Sequence, residues 1–225
     1  MHGIDPIQIL VSFSVILISL TIHEFAHAWT ANYMGDPTPA RHDRLNLNPM
    51  TMIQAHPFGA LIVPLIGASQ GFLIGWAATP VNPHLVDRKY SLRQAEWWIS
   101  IAGPLSNGIL AILFAFVLAA VILLGPGGSE PHWSQEVLRL SNAFVTANVF
   151  LMLFNLIPVP PFDGFTILAN SLPRGQQHLI RSIEEYGNIL ILGVFILGGR
   201  VLSPLIYGIS KFLIEQALSI LSIFM

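Results

Sequence analysis

The chain contains no cysteine, which excludes disulfides, a thiolate metal site and a cysteine nucleophile. Charge is scarce as well: 10% of its 225 residues are charged, where soluble domains carry about a quarter. The net charge of −2 gives no reason to expect nucleic acid or another polyanion as partner. No formally charged side chain occurs from Trp97 to Ser129, and again none from Leu140 to Phe162. Either run exceeds the roughly 20 residues needed to cross a hydrocarbon core. With 53% hydrophobic residues and a mean hydropathy of +0.66, the chain reads as an all-α polytopic membrane protein. The N-terminus lacks a basic n-region and an A-x-A cleavage site, so its first apolar run reads as a retained helix. There is no internal repeat and no long polar segment. The expectation is one membrane-embedded domain over 1–225, with a core at about 5–170 and a C-terminal helical pair at about 186–224.

The first helix is expected from about Asp5 to Met34, stopped by Gly35-Asp36-Pro37. A proline-broken polar loop follows. The segment 58–77 is apolar but cut by Gly59, Pro64, Gly67, Gly71 and Gly75, which argues for a re-entrant or strand-like element. Further helices are expected at about Arg93–Leu124 and Gln135–Leu156, and as two apolar pieces, Tyr186–Gly198 and Val201–Phe224. The total is about five to six membrane-spanning helices. Arg41 and Arg44, Arg88, Lys89 and Arg93, and Arg174 and Arg181 fall on one side if 58–77 does not cross. By the positive-inside rule that side is cytoplasmic, with Arg200 left as a misfit. Trp97, Trp98 and Trp133 suit interface anchors.

What is present in the first apolar run is His23-Glu24-Phe25-Ala26-His27. Positions i and i+4 share a helix face, so both imidazoles can reach one Zn²⁺ while Glu24 stands beside the open coordination position. Polar and ionisable groups at membrane depth are costly and mark function. A hydrolytic zinc centre takes three protein ligands, and Asp163 is the candidate third. It follows a charge-free helix, and its neighbour Gly164 allows a sharp turn. Glu24 is the candidate general base. The same topology brings His23, His27, Gly103, Asn107 and Asp163 to one depth.

Pro158, Pro160 and Pro161 remove backbone donors and block helix, leaving extended backbone against which an unwound substrate segment could pair. Asn155 is a candidate for bonding substrate backbone or an oxyanion. Gly103 permits close approach by a neighbouring helix, and Asn107 is placed to bond either the site or another helix. His42, His56, His84, His132 and His178 read as solvated, His56 being nearest the 58–77 element.

These residues carry a resemblance. H23-E-F-A-H27, G103-P-L-S-N107 and N155-L-I-P-V-P-P-F-D163-G164 resemble the site-2 protease family of intramembrane zinc metalloproteases. Asp36-Pro37-Thr38-Pro39, Asn46-Leu47-Asn48-Pro49 and Pro57-Phe58-Gly59 resemble its compact bacterial and archaeal branch. The resemblance covers about residues 6–170. It implies one Zn²⁺ held by His23, His27 and Asp163, with Glu24 activating water. From the residues themselves, the candidate substrate-binding positions are Gly103, Asn107, Asn155, Pro158 and Pro160. The implied activity is cleavage of transmembrane segments of other proteins near the cytoplasmic face of a cell membrane. Neither a PDZ domain between the core helices nor a terminal CBS domain, each found in many members, is expected in these 225 residues. It carries His56 where this branch is expected to have aspartate, and Phe165 where a second glycine is common. The alternative from another class is a membrane metal-binding or metal-transport protein using the same His/His/Asp site.

Overall fold

A computed structural model describes residues 6–69, 75–125 and 132–224, and among these there are helices and no strand. α1 (Pro6–Tyr33) leads into the short helices α2 (Thr38–Arg41) and α3 (Pro49–Ala55). The apolar element α4 (Phe58–Ser69) follows and opens with a π-helical turn. Then come α5 (Leu92–Leu124), α6 (His132–Asn155), α7 (Asp163–Ser171), α8 (Gln177–Glu185) and α9 (Gly187–Ser222). Four of them, α1, α5, α6 and α9, are long and apolar enough to cross a bilayer.

The long helices pack through small side chains. Ala111, Ala115 and Ala119 of α5 are fully or almost fully buried against Val145 and Val149 of α6 and Ala217 of α9. In lipid the hydrophobic effect does not drive helices together, so close backbone approach through such stripes supplies the van der Waals contact. A capping box starts α5, with Ser91 accepting from the Gln94 amide and the Gln94 side chain accepting in return. The helix continues through Pro104.

Two sequence expectations change. The apolar pieces 186–198 and 201–224 are one continuous helix, α9, through Gly198, Gly199 and Arg200. Glycine and proline end helices in water because the backbone can bond solvent instead. In hydrocarbon it cannot, and the helix persists. At Pro204 of the same helix, Ser203 Oγ donates to the carbonyl of Gly199 at 2.5 Å. Among the described residues the long apolar helices number four, where about five to six spans were expected, and α9, about 54 Å long, exceeds a bilayer core of about 30 Å. The outgoing limb of 58–77 is helical over 58–69 and not strand-like, while residues 70–74, with Gly71, lie outside those described. Beyond them the chain comes back to the start of α4, where the Trp76 amide donates to the Gly59 carbonyl at 3.0 Å.

The remaining elements fix α7 and the 75–82 segment against α1 and α5. Arg93, at the start of α5, donates from its guanidinium to the carbonyls of Asn170 (2.8 Å) and Leu172 at the end of α7. Beside it the Trp97 indole donates to Ser171 Oγ at 3.1 Å, a specific contact for a residue expected only as an interface anchor. The fully buried Asp36 accepts from Thr38 N at 2.9 Å and from Asn82 N at 2.6 Å. Thr79 Oγ1 donates to the backbone carbonyl of Glu24 at 3.0 Å, tying the segment to α1.

Candidate active site

α1 turns His23 and His27 to one face, and both are buried. Their Nε2 atoms lie 3.0 Å apart. Asp163, the first residue of α7, brings its Oδ2 to 3.3 Å from His23 Nε2 and 3.4 Å from His27 Nε2. For zinc bonds of about 2.0–2.2 Å the edge of a ligand tetrahedron is roughly 3.3–3.6 Å. The three atoms thus form one face of such a tetrahedron and leave its fourth vertex free.

Outer partners set which atoms face the centre. The Nδ1 of His27 lies 2.6 Å from the carbonyl oxygen of Ile99, which can only accept, so Nδ1 carries the proton. The Nδ1 of His23 lies 2.6 Å from Asn107 Oδ1, and Asn107 spends its amide on Asn148 Oδ1 at 2.9 Å. Asn148 in turn donates to Ser19 Oγ and to the carbonyl of Phe144, each at 2.9 Å. With both Nδ1 atoms protonated, both Nε2 atoms present lone pairs. Two lone pairs and a carboxylate oxygen therefore converge without a proton between them, an arrangement that a cation relieves. The pattern fits zinc: nitrogen and oxygen donors, three of them, with second bonds fixing their orientation.

Glu24 is buried, and its Oε2 has no hydrogen-bond partner among the described residues. A buried carboxylate oxygen without a partner is costly, and it stands in the turn of α1 that carries both histidines.

Two glycines make the approach of the elements possible. A Cβ on Gly103 would lie 2.3 Å from His27 Nε2 and 2.6 Å from His23 Nε2, so only glycine lets α5 pass this close to the imidazoles. A Cβ on Gly164 would lie 2.3 Å from the carbonyl oxygen of Leu156, so the tight fold from α6 into α7 needs glycine there.

The structure thus brings His23, Glu24, His27, Asp163, Gly103 and Asn107 together. It gives Gly103 and Asn107 contacts with the histidines. Asn155 bonds within its own helix, Nδ2 donating to the Leu151 carbonyl at 3.0 Å. Pro158 and Pro160 lie in the irregular link between α6 and α7, which contains a cis Pro160–Pro161 bond. Sequence reasoning missed Asn148 and Ser19. Both are fully buried, and polar side chains in otherwise apolar spans were the available signal.

Three side chains able to hold one metal ion, two of them on a membrane-length helix that also carries an unpartnered glutamate, fit a membrane-embedded metallohydrolase. The profile of peptidase family M50 matches residues 11–139, a stretch that holds His23, Glu24, His27, Gly103 and Asn107 but not Asp163. The candidate zinc metalloprotease YwhC of Bacillus subtilis is 35% identical over 196 residues, covering 85% of this chain and 83% of that protein. The candidate zinc metalloprotease Rip2 of Mycobacterium tuberculosis is 31% identical over 180 residues, 80% of this chain and 64% of Rip2. The candidate zinc metalloprotease MJ0611 of Methanocaldococcus jannaschii is 36% identical over 106 residues, 45% of this chain and 50% of its own. No solved structure matches. The chain belongs to peptidase family M50, which favours an enzyme over the metal-transport reading.

Proposed function

We propose that the chain is an intramembrane zinc metalloendopeptidase that hydrolyses peptide bonds in or near transmembrane segments of other proteins. The observation that carries this reading is the convergence of His23 Nε2, His27 Nε2 and Asp163 Oδ2, 3.0 to 3.4 Å apart, on a membrane-length helix that also holds the unpartnered Glu24. His23, His27 and Asp163 would hold one Zn²⁺, which would supply the Lewis acidity that lowers the pKa of water and polarises a carbonyl. Glu24 takes a proton from the attacking water and returns it to the leaving amine nitrogen. Burial keeps this carboxylate free of competing donors until substrate and water arrive.

A peptide bond inside a helix is shielded by its own hydrogen bonds, so the substrate must unwind before cleavage. The Asn155–Pro160 link and the irregular 75–82 segment offer it backbone to pair with. An apolar segment can approach along the groove of about 950 Å³ between α6 and α9. Phe154, at one end of that groove, packs edge-on against Phe162, the neighbour of Asp163.

With four crossings and an element at 58–77 that returns to its own start, both termini fall on one face. Seven of the ten Lys and Arg residues then fall on the other, at the ends of the helices that carry the site. By the positive-inside rule the centre lies nearer the cytoplasmic face of a cell membrane.

The test is cleavage of a single-span substrate by purified protein in liposomes, with bound zinc measured beside it. The wild type is expected to cut within or beside the span. Glu24→Gln is expected to keep its zinc and to lose at least about 100-fold in rate. A Glu24→Gln protein that cuts at the wild-type rate overturns the assignment of the base. Zinc-loaded protein that cuts none of a broad substrate set overturns the endopeptidase reading.

A further inference from the structure

Arg44 is 8% exposed, the one Lys or Arg among the described residues that is buried. Its backbone amide donates to the Pro39 carbonyl at 2.9 Å. Its guanidinium has no ion pair and no hydrogen bond among the described residues. The residue is buried overall, but its guanidinium nitrogens are not sealed off, so their donors stay open to a ligand, and nothing in the metal centre accounts for them.

The side chain lines a cavity of about 580 Å³ together with His42, Thr51, Gln54, His56 and Thr79. The walls are fixed. The His56 ring bonds the Ala78 carbonyl through Nε2 at 2.8 Å, and Thr51 Oγ1 donates to the carbonyl of Asn48 at 2.8 Å. Asp43 also borders the cavity, but it is exposed on the rim and its carboxylate accepts from Asn46 Nδ2 at 3.1 Å. It does not neutralise Arg44. Ala55, Ala78 and Pro80 complete the lining, and the cavity holds a fixed positive charge with an open fork of donors.

The cavity reaches α1 at the residue that stands between the two histidines in sequence. Thr79, one of its walls, donates to the backbone carbonyl of Glu24. A peptide held at the centre along the 75–82 segment therefore passes the mouth of the cavity within the reach of a side chain. A planar guanidinium fork matches a carboxylate with two parallel hydrogen bonds.

We propose that this cavity is a carboxylate-binding subsite, in which Arg44 receives an acidic side chain of the substrate that flanks the scissile bond. The inference rests on the endopeptidase reading above and adds a sequence preference to it. The walls come from the 42–56 loop and the 78–80 segment rather than from a lipid-facing helix stripe, which favours a substrate side chain over a lipid headgroup.

The experiment uses the full chain, zinc-loaded, in phosphatidylcholine vesicles. Single-span substrates carry Glu or Gln at successive positions flanking the span, one position at a time. At one position the Glu substrate is expected to be cut with a kcat/KM about tenfold or more above its Gln counterpart, the effect of one charge-assisted contact. Arg44→Gln is expected to bring that ratio close to one, and Arg44→Glu to favour the Lys counterpart instead. Wild-type protein that shows no such position overturns the inference without any variant being needed. So does an Arg44→Gln protein that keeps the ratio. Substitutions of Arg44 that alter only the response to added phosphatidylglycerol assign the cavity to lipid phosphate and overturn it too. Zinc-loaded protein that cuts Glu and Gln substrates equally leaves the endopeptidase reading intact and removes only the subsite. Protein that binds no zinc and cuts nothing removes both.

Discussion

Asn107 holds the imidazole of His23 through a 2.6 Å bond between Oδ1 and Nδ1, and both residues are buried. The amide also anchors α5 to α6 through Asn148 and from there to Ser19 of α1. Three spanning helices are thus tied at the depth of the metal ligands by one chain of neutral hydrogen bonds. Removing such an outer partner costs about 10–100-fold in metal affinity. Asn107→Ala is expected to weaken zinc binding by that factor, read by competition with a chelator of known affinity. Asn107→Asp keeps the acceptor and is expected to recover most of it. Equal affinity in Asn107→Ala and wild type would show that His23 needs no orienting bond.

Gly103 gives a prediction whose sign opposes helix propensity. In an ordinary helix interior, alanine is more favourable than glycine by about 1 kcal/mol. Here the added methyl would lie 2.3 Å from His27 Nε2. Gly103→Ala is expected to keep its helical circular dichroism and to lose zinc and cleavage together. Gly108→Ala, five residues further on, meets only the sulfur of the flexible Met152 side chain at 3.1 Å and is expected to behave like the wild type. Full zinc content in Gly103→Ala would refute the close-packing account.

Arg93 acts on the site from a distance. Its bonds to the carbonyls of Asn170 and Leu172 hold the end of α7, and Asp163 is the first residue of that helix. Arg93→Ala is expected to lower zinc occupancy and cleavage in parallel, with added zinc restoring part of both. Lys89→Ala, which removes an exposed ion pair with Asp87, is expected to change neither. Unchanged metal content in Arg93→Ala would mean that α7 holds its place through packing alone.

The parts of this protein that were legible in its sequence are those whose chemistry restricts residue type. A zinc ligand must be one of few side chains, so His23, His27 and Asp163 stood out against apolar surroundings, and charge-free runs marked α1, α5 and α6. The pairing of Asn148 with Ser19 was not legible, since the two are 129 residues apart and either could have bonded another helix. The continuity of α9 was misread because Gly198-Gly199-Arg200 is a break by the rules of aqueous helices. The unpaired Arg44 read as one more basic loop residue, because burial and the absence of a partner are not sequence properties.

The strongest link between metal and stability follows from the donors themselves. His23 Nε2, His27 Nε2 and Asp163 Oδ2 face one another at 3.0 to 3.4 Å with their protons committed elsewhere. Without a cation they repel at a depth where water screens poorly. Zinc binding is therefore expected to stabilise the fold, by about 2.7 kcal/mol when free zinc stands at 100 times its dissociation constant. A chelator is expected to lower the unfolding temperature of the wild type in detergent, and added zinc to restore it. Glu24→Gln leaves the three donors in place and is expected to keep the whole of this shift. Asp163→Ala removes one donor and its charge, and is expected to lose most of the shift while unfolding no earlier than chelated wild type. A wild-type unfolding temperature that ignores chelator, with zinc shown to be absent, would mean that the three donors rest comfortably without a metal.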